Sequence, residues 1–379
     1  MGARRGRAWR RSVALVGVVG LAAGFVVSTA APAVATTVTD ETSFRTAFTN
    51  AAETQVDLSA DISLSCGGGG TAIRDSSTVL AVNGNGHTIR QTCANSGVLQ
   101  QNGTGALNFT GVTITGGTTT GDGGAIKTSS APVSVTNSTI SGNTASGDGG
   151  GIRESSGDVT VTNSTISGNT ASGDGGGIRE SSGNVTVTNS TMSGNTASGA
   201  NSEGGAIRES SGGITLIYST LTQNTAPDGA NLRGADLTLT VFGSVLAQPS
   251  GSTNCTGMTT TSNGYNFSDD TSCNLTAGTD HQNAGDPALG ALANNGGSTQ
   301  TRLPQSGSHL VDVIPLGSCK SGGATTITTD QRDLPRPAGS GCDIGAVEVQ
   351  PSTANTTTTT TTPAAVQPAA VAAQPAFTG

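Results

Sequence analysis

The chain is poor in aromatic and charged residues: 3% are Phe, Trp or Tyr, and 11% are Asp, Glu, Lys or Arg. So few aromatics leave no stacking platform for single-stranded nucleic acid. With 17 Lys and Arg in 379 residues and a net charge of −8, the weakly charged chain argues against a partner whose phosphate backbone needs clustered Lys and Arg. No nucleic-acid partner is expected. The cysteines include no Cys-x-x-Cys pair, which argues against zinc. The one long apolar run, Val13 to Val27, is too short for a comfortable membrane span, and none is expected in the mature chain. The 57 Gly and 13 Pro stay below the share that marks unstructured low complexity.

What is present is a repeat. From Gly121 the chain reads GDGGAIKTSSAPVSVTNSTISGNTAS, then GDGGGIRESSGDVTVTNSTISGNTAS, then GDGGGIRESSGNVTVTNSTMSGNTAS, then a looser fourth copy to Thr225. The marker residues Ile126, Ile152, Ile178 and Ile207 are spaced by 26, 26 and 29. A fixed period of this size means stacked units that bury a common core, since one unit cannot bury its apolar face alone. Within a unit, Val159-Thr160-Val161-Thr162 alternates with strand period, Val inward and Thr outward. Each unit holds three apolar pieces, Ile152, Val159/Val161 and Ile166, separated by turn-forming Gly, Ser, Asn and Asp. No piece carries an apolar stripe of helical period.

Three short strands per period predict one rung of a parallel β-helix, with rungs about 4.8 Å apart. A leucine-rich repeat has similar length but expects abundant Leu and a bulkier return segment. Identical residues then form ladders. Val135, Val161 and Val187 are expected in one interior column. Asn137, Asn163 and Asn189 are expected at one turn, and Asn143, Asn169, Asn195 and Asn224 at another, with amides bonded along the axis. Weaker units extend the pattern from about Val56 to Val245, about eight rungs in all. Ahead of them, Phe44, Ala47, Phe48 and Ala51 have helical spacing, and a short helix is expected to cap the open end.

Arg4, Arg5, Arg7, Arg10 and Arg11, the apolar run and Ala33-Val34-Ala35 read as a signal peptide cleaved after Ala35. Arg10-Arg11 leaves general and twin-arginine export both open. An even set of six cysteines in an exported chain predicts disulfides. Fifteen pairings exist for six cysteines. Pairing of sequence neighbours is the expectation: Cys66–Cys93, Cys255–Cys273 and Cys319–Cys342. The boundaries predicted are a leader over 1–35, a parallel β-helix over 36–254, an irregular, disulfide-stapled C-terminal β-helix end over 255–349 and a Thr/Ala/Pro-rich tail over 350–379.

The opening helix, the Asn83-Gly84-Asn85-Gly86-His87-Thr88-Ile89 turn and the GNTAS…GGGI repeats resemble secreted bacterial proteins of the pectin-lyase-like superfamily, which implies an all-β fold, a right-handed parallel β-helix. Leu289–Gly297, Thr301–Pro304, Asp330-Gln331-Arg332, Arg336-Pro337 and Asp343–Glu348 add a similarity to "choice-of-anchor" surface proteins, which carry a β-helix followed by such a block. The resemblance covers Thr37 to Val349 and implies a secreted or cell-surface location, with wall association left open. It implies no activity by itself. The terminal Ala376-Phe377-Thr378-Gly379 is similar to a sortase motif but lacks the apolar span and basic tail that normally follow.

For chemistry, two ladders stand out. Asp122, Asp148 and Asp174, with Glu203, are candidate ligands for Ca²⁺ between rungs, because stacked carboxylates repel. Lys127, Arg153, Arg179 and Arg208 run beside Glu154, Glu180 and Glu209. Both recur with the period, whereas an active site is a single constellation. No catalytic residue is assigned, and turn chemistry accounts for the Asp. His87 reads as a turn residue. The Asn-x-Thr triplets at Asn137, Asn163 and Asn189 match glycosylation acceptors but are equally turn residues. The leading expectation is therefore a monomeric, non-catalytic, adhesin-like β-solenoid that touches polysaccharide or cell-surface components. A polysaccharide lyase or glycoside hydrolase is the alternative, and an ice-binding Thr array the third.

Overall fold

The computed structural model describes residues 35–319 and 327–351. Nearly all of the expected leader and tail, with the Thr356–Thr362 run and the terminal motif, fall outside them. Glu41–Thr49 is the helix, opened by a reciprocal cap in which Asp40 accepts the Ser43 N–H at 2.8 Å. It buries Phe44, Ala47 and Phe48. Ala51 does not extend the stripe: Asn50 turns the backbone extended and ends the helix, leaving Ala51 exposed.

Behind the helix the chain winds as a parallel β-solenoid. The rung from Ile152 shows the plan: Ile152–Arg153, Val159–Thr162, Thr165–Ser167 and then Thr170–Ala171. We call the first three the arginine, threonine and serine faces. The fourth strand corrects the expected three per rung. It is two residues long, flanked by Asn169 and Ser172, and pairs only with Thr144–Ala145 and Thr196–Ala197. Strands Gln55–Leu58 and Ile62–Leu64 likewise lie on different faces, the threonine and the serine, and do not pair with each other. Parallel pairing continues through Phe267–Ser268 to His281–Gln282, so the serine face stacks ten strands.

Register is set by identity. Val135 lies beside Val161, and Val161 beside Val187, in a column that also takes Val56, Val82, Phe109, Leu216 and Val241. All are within 1% of full burial, and each such side chain contributes roughly 1.5–3 kcal/mol. The polar interior is a second column. Asn143 Nδ2 donates to Asn169 Oδ1 at 2.9 Å, Asn169 to Asn195 at 3.0 Å and Asn195 to Asn224 at 3.0 Å. Asn224, Asn231 and Asn254 continue it at 2.8 and 2.5 Å. Each Asn is fully buried, and Oδ1 of Asn143, Asn169, Asn195 and Asn224 also accepts a backbone N–H from the rung before.

Asn137, Asn163 and Asn189 behave otherwise. They occupy equivalent corners with φ of 48°, 49° and 45°, a conformation Asn tolerates, and their Oδ1 atoms accept no bond. The axial bonds at this corner come from the next residue: Ser138 N donates to Ser164 Oγ at 3.1 Å, and Ser164 N to Ser190 Oγ at 3.0 Å. A short hydroxyl facing inward reaches the neighbouring amide; a left-handed corner residue points its amide away. The GDGG turn also has a steric reason. Gly149 has φ of 67°, and a Cβ there would lie 2.4 Å from the Ile152 carbonyl oxygen.

The three disulfides join sequence neighbours: Cys66–Cys93, Cys255–Cys273 and Cys319–Cys342. All lie outside the regular rungs, where irregular segments gain most from a closed loop.

Candidate adhesive face

The outer side of the serine face is occupied by the chain itself. Leu289–Ala293 and Thr301–Pro304 form an antiparallel pair, and the segments around Asp330 and Asp343 fold back beside it. Asp330 binds Arg332 at 2.7 Å and accepts the Glu348 N–H at 2.9 Å, which aims the intervening Gln331 at the coil. Gln331, fully buried, donates to Thr165 Oγ1 at 2.9 Å and Ser164 O at 3.1 Å, and accepts from Thr191 Oγ1 at 2.6 Å. Arg302 reaches Ser193 Oγ at 2.8 Å, and Ala346 N reaches Thr220 Oγ1 at 3.0 Å. At the corner, Arg336 lies 4.1 Å over the Tyr218 ring, whose hydroxyl donates to Cys319 O at 2.5 Å. Burial pushes the Tyr218 hydroxyl up to about 12, so it stays a donor. Asn189 Nδ2 is engaged by Thr329 O at 2.8 Å, which ties one candidate glycosylation Asn into this contact.

The threonine face has no such cover in the hydrogen bonds of the described residues. Its outward column runs Asn108, Ser134, Thr160, Thr186, Thr215, Thr240 and Thr261 in strict register. A second column, Thr110, Thr136, Thr162 and Thr188, ends at Ile217 and the buried Phe242. Together they offer a neutral grid of hydroxyls at rung spacing, about 4.8 Å.

The arginine face carries a charge zipper. Asp122 Oδ1 accepts the Asp148 N–H at 3.1 Å, Asp148 that of Asp174 at 2.9 Å, and Asp174 that of Glu203 at 2.9 Å. The other oxygens face bases: Lys127 Nζ is 3.2 Å from Asp122, and Arg179 Nε is 3.8 Å from Asp148 and 3.7 Å from Asp174. Arg208 sits between Asp174 and Glu203, and Arg233 bridges Glu203 and Asp228 at 3.3 and 2.8 Å. Repulsion between the stacked carboxylates of Asp122, Asp148 and Asp174, the candidate Ca²⁺ ligands, is thus relieved by the Lys127 ammonium and the Arg guanidinium groups. Among the described residues no group of three His, Cys, Asp or Glu is arranged to hold a metal ion. Burial opposes ionisation of Asp122, yet the Asp148 N–H and Lys127 outweigh it and hold the carboxyl below its usual range. At Asp174 burial prevails, helped by Asp148 and Glu203, and pushes the carboxyl up.

Glu154, Glu180 and Glu209 do not share that outer strip. Strand alternation, Ile in, Arg out, Glu in, buries all three completely. Arg153, Arg179 and Arg208 donate to the backbone carbonyls of these glutamates, not to their carboxyls. The alternation in Ile178-Arg179-Glu180 already carried this information; grouping the charges by proximity in sequence hid it. His87 stands at a turn with Nδ1 3.3 Å from the exposed Asp61 carboxylate, and His281 and His309 are exposed.

Residues 35–198 match the family model described as "Putative pectate lyase-like adhesive domain". That match and the parallel coil agree with a pectin-lyase-like β-helix protein. Neither a curated protein nor a solved structure gives a significant match. The matched segment of this pectate lyase-like coil holds the helix cap, the regular rungs and most of the zipper. The covering block after Leu289 lies beyond it. No helix among the described residues is long and apolar enough to cross a membrane.

Proposed function

We propose that the chain is an adhesin-like, non-catalytic β-solenoid that displays its threonine face to polysaccharide at a cell surface or in the extracellular space. The adhesive family description supports the role. The observation that carries the choice of face is the asymmetry of cover: the C-terminal block binds the serine-face hydroxyls of Thr165, Thr191 and Thr220, whereas the threonine-face column is left to solvent. A neutral hydroxyl grid on a stiff coil suits many weak hydrogen bonds to sugar hydroxyls, with affinity built by repetition. The leader-like residues 1–35 and the three disulfides fit export.

A glycan array with the chain tests this, read against a variant carrying Thr160→Asp, Thr186→Asp and Thr215→Asp. Loss of glycan binding in the folded variant is the expected result. Equal binding by variant and parent removes the threonine face from the account. Incubation with uronate and neutral glycans, with and without Ca²⁺, tests the non-catalytic part; product formation overturns it.

A further inference from the structure

The ESSG turns leading from the arginine face to the threonine face enclose a column that no adhesive role requires. Thr128, Glu154, Glu180, Glu209 and Gly234 occupy equivalent positions on successive rungs, by the register of their neighbours. The three glutamates are wholly buried. One carboxyl oxygen of each is used: Glu154 Oε1 by Thr128 Oγ1 at 3.3 Å, Glu180 Oε1 by Ser182 N at 2.8 Å, and Glu209 Oε1 by Ser211 N and Gly212 N at 2.9 and 2.8 Å. The other oxygen, Oε2, receives no donor from any other group in all three. The charged groups bearing most strongly on these carboxyls are one another. Arg153, Arg179 and Arg208 leave the same strands on the outer side, and Asp158, past the turn, is exposed.

Three carboxylates stacked at rung spacing without a cation would repel in a medium that screens poorly. The missing donors and the missing counter-charge have one common remedy. We propose that the Glu154–Glu180–Glu209 column is a proton-binding site of the folded coil, in which Glu154 and Glu209 are carboxylic acids that each donate to a central Glu180 carboxylate. The site makes the stability of the ESSG edge depend on pH. The electrostatics agree: burial, then the Glu180 carboxyl, push Glu154 up to about 7 and Glu209 up to about 8. Burial also opposes ionisation of Glu180, but bonds from Glu209, Ser182 and Gly183 outweigh it and keep its carboxyl low.

The sign follows from linkage. A raised carboxyl holds its proton in the folded chain and releases it on unfolding, so its contribution is complete below 4.5 and is lost as pH rises through the folded value. Two such protons make the unfolding constant rise by up to roughly 100-fold per pH unit between 4.5 and 7, and one by up to roughly 10-fold between 7 and 8. Asp174, Asp343 and Glu348 are also raised and add slope of the same sign. The difference between variants therefore reads the column, and the parental slope alone does not.

Glu154→Gln with Glu209→Gln keeps both donors to Glu180 and removes both protons. Urea unfolding of the chain and this variant from pH 5 to 9, with hydrogen exchange at the Ser182 and Gly212 amides, is the experiment. The expected result is a flatter pH profile in the variant by up to roughly two protons, and faster exchange in the parent above pH 8. Parallel profiles overturn the proposal. Infrared spectroscopy is the second measurement: a carboxylic acid C=O band at pH 6 that vanishes by pH 9 and is weaker in the folded variant than in the parent supports the site, and absence of any such band from the parent at pH 6 overturns it.

Discussion

Asn169→Ala removes one link from the buried amide column, and the structure fixes what is left behind. Asn169 Oδ1 accepts from Asn143 N at 3.1 Å and Asn143 Nδ2 at 2.9 Å; its Nδ2 donates to Asn195 Oδ1 and Ile140 O, both at 3.0 Å. After truncation Asn143 Nδ2 keeps Ile114 O and Ser141 O, and Asn195 Oδ1 keeps the residue-169 backbone N–H. The Asn143 N–H loses its only bond of this kind, and Ile140 O loses its side-chain donor. One or two orphaned buried groups at about 1–3 kcal/mol each, plus a small cavity, give a cost of about 3–5 kcal/mol. Asn163→Gly is the control, since its Oδ1 is already unpartnered, its Nδ2 makes only a 3.4 Å contact with Asp333, and Gly fits a φ of 49°. Its cost should stay below about 1 kcal/mol. Equilibrium urea unfolding followed by far-ultraviolet circular dichroism measures both. Equal costs, or an Asn169→Ala cost under about 1 kcal/mol, refute the reasoning that the inner column and not the corner column holds adjacent rungs.

Val161→Ala should cost about 2 kcal/mol by opening a void in a fully buried column, while Thr160→Val on the outer side of the same strand stays within about 0.5 kcal/mol; urea unfolding of the pair checks this. Gln331→Ala removes the side chain that binds Ser164, Thr165 and Thr191, so limited proteolysis should cut the block after Leu289 faster while the coil's strand signal persists. The hydroxyl grid should give no thermal hysteresis in freezing-point osmometry. Both outward columns carry hydroxyls together only at Ser134/Thr136, Thr160/Thr162 and Thr186/Thr188, and Ile217 then breaks the second column.

Much of the coil was legible because its contacts repeat at nearly constant sequence separation. Val135 to Val161 and Asn143 to Asn169 are both 26 residues apart, and alternation fixes which side chains turn inward. Cysteines in irregular segments paired with their neighbours for a similar reason, with separations of 27, 18 and 23. The candidate site was less legible. The zipper needed both the Asp and the Arg columns placed on one outer strip, and the inward turn of Glu154, Glu180 and Glu209 was masked by their position beside Arg.

The sequence by itself determined the period, the strand faces and the interior Val, Ile and Asn columns, since each rung is the template for the next. Only the tertiary structure decided which outer face is bare. The block that covers the serine face is joined to it across separations of 79 to 170 residues, as in Gln223 to Arg302 and Asn163 to Asp333. No periodicity encodes such contacts. They depend on where an aperiodic segment finds complementary hydroxyls once the coil exists.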